Sequence, residues 1–140
     1  MGFFDKQKFA SNSQEWATPD SVFIPLNDEF HFTLDVCATQ ENAKHSKFFS
    51  KEENALVQNW EKHICWMNPP FNELKLWVKK AFEEGQKENT MVVCLLPART
   101  NTTWFHDYCL KGEVRFIKGR PKFNEGKHGL PQPLAIVIFR

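Results

Sequence analysis

The sequence predicts an α/β domain built on a mainly parallel sheet. Three observations carry that expectation. Short apolar runs alternate with segments of helical periodicity, the order that βα units impose. The runs are apolar at nearly every position, as in strands covered on both faces. Polar motifs stand at the C-terminal ends of two of them, where open α/β sheets hold their ligands. At 140 residues there is room for one domain, the usual span being roughly 100–200 residues. Fourteen Phe and five Trp suffice to fill a core, and the 25% of charged residues argues against disorder.

In chain order, residues 1–14 read as a loose polar arm and 15–140 as the domain. Thr18-Pro19-Asp20 is a helix start, with Thr as N-cap, Pro at the first helical position and an acid in the first turn. Val22, Phe23 and Leu26 give that helix its apolar stripe. Residues 32–36 read as the first strand, and the polar stretch 39–59 resists assignment. Residues 63–67 form a second strand, ending at Asn68-Pro69-Pro70. From Glu73 to Gly85, Leu74, Trp77, Val78, Ala81 and Phe82 fall at helical spacing, with Gly85 as the stop. A buried strand follows over 90–96, closed by Pro97. A short helix over 102–110 carries Trp104, Phe105 and Tyr108. Strands over 114–117 and 135–139 complete the order, the last of them antiparallel.

The four cysteines, Cys37, Cys65, Cys94 and Cys109, include no close-spaced pair, so neither a zinc cluster nor a disulfide framework is indicated. They read as reduced thiols. No apolar run approaches the ~20 residues of a membrane helix. The start MGFFDKQKF lacks a signal-peptide apolar block, and Lys6 stands where a myristoylation signal needs Ser or Thr. A soluble intracellular protein is expected. Residues 1–70 carry 6 Lys/Arg against 10 Asp/Glu, and residues 71–140 carry 12 against 7. That asymmetry points mildly to a polyanion on one face.

The motif with chemical content is Asn68-Pro69-Pro70-Phe71. Two prolines remove two backbone donors and fix φ, so the turn presents acceptors without competing N–H groups. The Asn68 oxygen and the Pro69 carbonyl can both accept from an exocyclic amino group, drawing its lone pair out of conjugation. The Phe71 ring can stack on a base and face a cationic methyl donor. A plain strand-to-helix turn would use the same residues.

With this motif the chain resembles the phage-type DNA N6-adenine methyltransferases. The matching segments are Glu15-Trp-Ala-Thr-Pro19, Phe32-Thr-Leu-Asp-Val-Cys-Ala38, Trp66-Met-Asn-Pro-Pro-Phe71, Leu96-Pro-Ala-Arg-Thr100 and Arg115-Phe-Ile-Lys-Gly-Arg120. The resemblance implies a reduced Rossmann-like methyltransferase sheet, S-adenosylmethionine as methyl donor, and DNA adenine N6 as acceptor. It also implies a phage- or prophage-encoded protein in the bacterial cytoplasm. It makes Asn68, Pro69, Pro70 and Phe71 the catalytic motif and puts Trp16, Thr18, Pro19, Asp35, Cys37 and Ala38 around the cofactor. Trp16 can equally be core packing, and Asp35 a turn-forming acid.

Asn54 departs from the pattern, standing where the family usually carries an acid before Gly-Leu. Its oxygen can still accept from the cofactor adenine, so weakened binding is expected rather than loss. The acid for the ribose hydroxyls is open among Glu41, Glu52 and Glu53. For DNA, the basic stretch 115–127 offers Lys118, Arg120 and Lys122, with Phe116 and Phe123 interleaved, and Arg99-Thr100 forms a second candidate. A solvated basic hairpin is the alternative for 115–127. No segment is long enough for a separate target-recognition domain, and duplex DNA would require base flipping. Methylation of a protein glutamine or an RNA guanine, or a silent nucleic-acid-binding protein of the same fold, are the rival functions.

Overall fold

The computed structural model describes residues 18–123, 128–129 and 132–140. In chain order the strands are β1 (Leu34–Asp35), β2 (Ile64–Met67), β3 (Met91–Pro97), β4 (Glu113–Phe116), β5 (Lys122–Phe123), β6 (His128–Gly129) and β7 (Leu134–Phe139). The helices are α1 (Asp20–Phe30), α2 (Leu74–Gly85) and α3 (Thr103–Asp107). Five strands make the main sheet in the order β1-β2-β3-β7-β4, while β5 and β6 pair as a small separate ribbon. β1, β2 and β3 run parallel, and β7 lies antiparallel between β3 and β4. This is the expected α/β class, with β7 the antiparallel last strand.

Both faces of the sheet are covered, which explains strands without polar alternation. Trp66, Val93, Leu95, Ile136 and Ile138 share one core with Phe23, Leu26 and Phe30 of α1. Cys65, Met67, Val92, Cys94 and Val137 share the other with Leu74, Trp77, Val78 and Ala81 of α2 and with Trp104 and Phe105 of α3. Burial at these strand positions follows the two-residue period of the pleat. Glu84, only 3% exposed, ties α2 to the preceding loop. It accepts from the Trp60 amide at 2.7 Å and pairs with Lys80 and Lys87 at 3.1 and 2.8 Å.

Several boundaries differ from the sequence expectation. Pro19, not Thr18, is the N-cap of α1, and it makes no side-chain cap bond. The Pro19 carbonyl accepts from the Val22 and Phe23 amides, which frees the Thr18 hydroxyl for a tertiary contact. The first strand shrinks from 32–36 to Leu34–Asp35 because Val36 already enters a turn held by the Asp35 carboxylate. α2 starts at Leu74, after a 3-10 turn over Phe71–Glu73 that Pro70 initiates. Gly85 is its last residue rather than a left-handed stop beyond it, and Gln86 stays right-handed. A Cβ at Gly85 would lie 2.7 Å from the Phe139 Cβ, so the glycine lets α2 approach β7 closely. The segment 102–110 splits into α3, capped by Thr102, and a 3-10 turn over Cys109–Lys111. Within 39–59 the described structure is a 3-10 turn over Ala55–Val57 and a bridge from Phe48 to Asp35.

Candidate active site

β1 and β2 lie side by side with Asp35 opposite Trp66, so the turns that leave both strands emerge at one sheet edge. The Val36 amide donates to the Trp66 carbonyl at 3.0 Å and holds the turns together. Asp35 is 2% exposed. Its Oδ1 accepts from the Cys37 amide at 3.2 Å and its Oδ2 from the Lys44 amide at 2.8 Å. Burial pushes its carboxyl up to about 6, against the opposing pull of those amides and the Lys44 charge. Both oxygens therefore shape the loop over 36–44, and the Asp35 carboxylate acts as the loop's internal anchor.

That loop walls a cavity of about 310 Å³, within the range of sites for small organic ligands. Cys37 and Ala38 line it on the β1 side, Asn54 on the 3-10 turn, and Pro70, Glu73 and Trp77 on the α2 side. Burial, then the Asp35 charge, pushes the Cys37 thiol up to about 12, so it stays protonated at neutral pH. Asn54 sits in the left-handed region at φ 53°, and its Oδ1 already accepts from the Leu56 amide at 3.2 Å. A carbonyl oxygen has a second lone pair, so a further bond there is chemically open.

The acid lining the cavity is none of the three that the sequence leaves open. Glu53 turns back to cap its own loop, accepting from the Ser50 amide at 2.9 Å and the Ser50 hydroxyl at 3.2 Å. Glu41 and Glu52 do not line the cavity, whereas Glu73 does. Four residues on, Trp77 shares that helix face, and its buried indole Nε1 has no hydrogen-bond partner among the described residues. The signal was present in the sequence: an acid three residues past Pro70 falls on the turn that two prolines force.

The catalytic candidates lie at the same edge. The Asn68 Nδ2 donates to the Thr18 Oγ1 at 3.0 Å, across 50 residues of chain. Thr18 is 3% exposed, and it meets the motif itself. Pro19 begins α1 beside it, and Trp16 lies outside the described residues. Phe71 packs partly on both cores, with the Arg99 guanidinium 5.8 Å over its ring.

Because β4 points the same way as β2 and β3, its end brings Phe116 to this edge, 66% exposed, with Lys118 and Arg120 exposed beyond it. Thr100 is exposed next to Arg99, and its carbonyl meets the His106 ring at 2.7 Å. Lys122 belongs to β5, and its side chain is outside the described residues. Arg115 leaves the basic set. It makes two bonds to Glu29 at 2.7 and 2.8 Å and one to Glu113 at 2.6 Å, with Phe30 under its guanidinium.

Comparison with known proteins agrees with this geometry. The sequence model of DNA N-6-adenine-methyltransferase (Dam) matches residues 6–133. A DNA N-6-adenine-methyltransferase of Haemophilus phage HP1 (strain HP1c1) is 37% identical over 109 residues, covering 76% of this chain and 62% of the relative. One of Escherichia phage T1 is 39% identical over 93 residues, covering 64% of this chain and 38% of the relative. The chain thus spans less than two thirds of either phage relative's length. The putative methyltransferase YfdM of Escherichia coli K12 is 33% identical over 64 residues, 41% of this chain and 70% of its own. The chain belongs to the DNA N-6-adenine-methyltransferase (Dam) family.

Proposed function

We propose that this chain transfers a methyl group from S-adenosylmethionine to the N6 amino group of adenine in DNA. One observation carries the reading: the Asn68–Phe71 turn shares a wall with the cavity at the end of β1, since Pro70 belongs to both. An acceptor held by Asn68 and a donor held in that cavity would therefore meet at the turn. The donor set suits a nucleoside carrying a charged amino-acid tail. Cys37, Ala38 and Trp77 offer apolar wall, Glu73 offers acceptors for hydroxyls, and the Trp77 N–H, without a partner among the described residues, offers one buried donor.

When bound, S-adenosylmethionine supplies an electrophilic methyl on a sulfonium, already a good leaving group. The protein's task is then to hold and dehydrate the acceptor. Asn68 Oδ1 and the Pro69 carbonyl accept from the amino group and make its lone pair available. Phe71 gives the base a stacking face, worth ~1–3 kcal/mol. Proton loss to water follows transfer, so neither a metal nor a strong general base is needed. Duplex substrate would have to present the adenine flipped out of the stack. Lys118 and Arg120, with Arg99, Thr100 and Lys122 as further candidates, would take the phosphates on either side. The bacterial cytoplasm, where phage DNA resides, is the compartment this activity implies.

Labelled cofactor offered to DNA, RNA and a protein lysate tests the substrate class. DNA should be labelled, insensitively to EDTA, and its nucleoside digest should contain N6-methyldeoxyadenosine. Labelled glutamine, guanine or N4-methylcytosine as the main product would overturn the proposal.

A further inference from the structure

We infer that Phe116 is a base-stacking residue that holds a base flanking the target adenine, outside the Asn68–Phe71 turn. The inference rests on the DNA reading above. Phe116 ends β4, the outer strand of the main sheet, and is 66% exposed. Among the described side chains no other Phe, Tyr or Trp is exposed.

That exposure is built into the strand pairing. The residue opposite on β7 is Ala135, so the cross-strand neighbour that could cover the ring offers one methyl group. The backbone on either side is nonetheless fixed. Arg115 is bound to Glu29 and Glu113. Ile117 packs on the α1 side of the sheet, and its amide donates to the Leu134 carbonyl at 3.0 Å. A ring with only two side-chain torsions, carried on a rigid strand, loses little freedom when it stacks.

Strand register gives the distance to the proposed acceptor site. Met67 pairs with Cys94, Cys94 with Val137, and Val137 with Val114. Phe116 lies two residues past that row, level with Pro69 and three strands away. At about 4.8 Å per strand their backbones stand ~14 Å apart, roughly four base steps of a stacked strand at ~3.4 Å each. The ring therefore cannot share the base held at Asn68, but it can meet one further along the same strand. Lys118 and Arg120 follow, both exposed, so the phosphates beside that base find cations close by. An apolar ring bordered by cations suits a polyanion with open aromatic faces, which is unpaired nucleic acid.

Fluorescence anisotropy with a single-stranded oligo-dA and with an abasic strand of the same length tests this, because both carry phosphates and only the first carries bases. Phe116→Ala should weaken oligo-dA binding about tenfold, the scale of one lost stacking contact, and leave the abasic strand within about twofold. Its salt dependence should not change, since no phosphate contact is lost. Phe116→Trp should keep the affinity, whereas Phe116→Leu, apolar but without a π-face, should lose it as Phe116→Ala does. An exposed position should leave the melting curve near that of wild type. Where Phe116→Ala does not fold, Phe116→Leu carries the same comparison. Equal loss on both strands, no loss on oligo-dA, or full affinity in Phe116→Leu would overturn the inference. A wild type that binds neither strand removes the DNA surface itself, whereas one that binds oligo-dA no better than the variants sinks the stacking alone.

Discussion

Arg99 is held over Phe71 from two sides. Its guanidinium carbon lies 5.8 Å from the ring centroid, and its Nε donates to Gln132 Oε1 at 3.2 Å. A cation fixed on the aromatic of the Asn68–Phe71 turn stands beside the proposed acceptor site. Arg115 is also stacked on an aromatic, Phe30, yet two carboxylates neutralise it. The two arginines should behave oppositely toward DNA.

Changing Lys118 and Arg120 together to Ala should flatten the dependence of log K for DNA on log salt, by roughly 0.9 per lost phosphate contact. Arg99→Ala should remove up to one further contact. Arg115→Ala should leave the slope unchanged and lower the thermal midpoint instead, because it unties β4 from α1. Fluorescence anisotropy at several salt concentrations reads the first effect and a melting curve the second. A slope that falls with Arg115 and not with Lys118 and Arg120 would move the phosphate surface elsewhere.

Asn68→Ala removes the side-chain acceptor. Methyl transfer should fall at least ~100-fold, ~2.7 kcal/mol in barrier. Calorimetry with S-adenosylhomocysteine should register little change, since Asn68 does not line the cavity. Near-normal turnover would show that the turn is only a turn.

Glu73→Gln should weaken S-adenosylhomocysteine about tenfold, as expected when one charge-assisted bond becomes neutral. The residue is exposed and caps no helix end with its side chain, so folding should be spared. Glu53→Gln, whose carboxylate serves Ser50, should not weaken binding. Equal affinity for both variants would remove Glu73 from the cofactor site.

Asp35 predicts a pH signature. Its folded pKa of about 6 lies above the ordinary 3.8, so the folded state holds the proton more tightly. The resulting stability is present below pH ~4 and is lost as pH rises through about 6, on the order of 2–3 kcal/mol. Asp35→Asn lacks that titration, though it leaves one loop amide without its acceptor. The stability of wild type relative to Asp35→Asn should therefore shrink between pH 4 and pH 7 in urea melts. A difference constant with pH would mean the carboxyl ionises normally.

Much of this was legible in the sequence because periodicity and turn chemistry are local. The all-apolar run through Cys94, closed by Pro97, is typical of a strand buried on both faces, and two prolines after Asn68 end the strand before them. The family assignment was equally legible, since it rests on short contiguous segments. Asp35 reads as a turn-forming acid as well as a cofactor-side residue, and Thr18 as a helix cap as well as a cofactor-side residue. In the structure the Asp35 oxygens accept from the amides of Cys37 and Lys44, as a turn-forming acid does. The Thr18 hydroxyl reaches Asn68 and does not cap α1.

The sequence by itself determined the order of the main-sheet strands and their helices, the double-sided core and the Asn-Pro-Pro turn, because each follows from residue types a few positions apart. Only the tertiary structure decided which polar atoms are already engaged. A side-chain oxygen makes its bond with whatever group the packed backbone brings within about 3 Å, and that partner can be 50 residues away, as between Thr18 and Asn68. The same holds for charge. Arg115 and Lys118 look alike in a basic stretch, but the C-terminal end of α1 brings Glu29 to the first, and the second is left exposed at the sheet's edge.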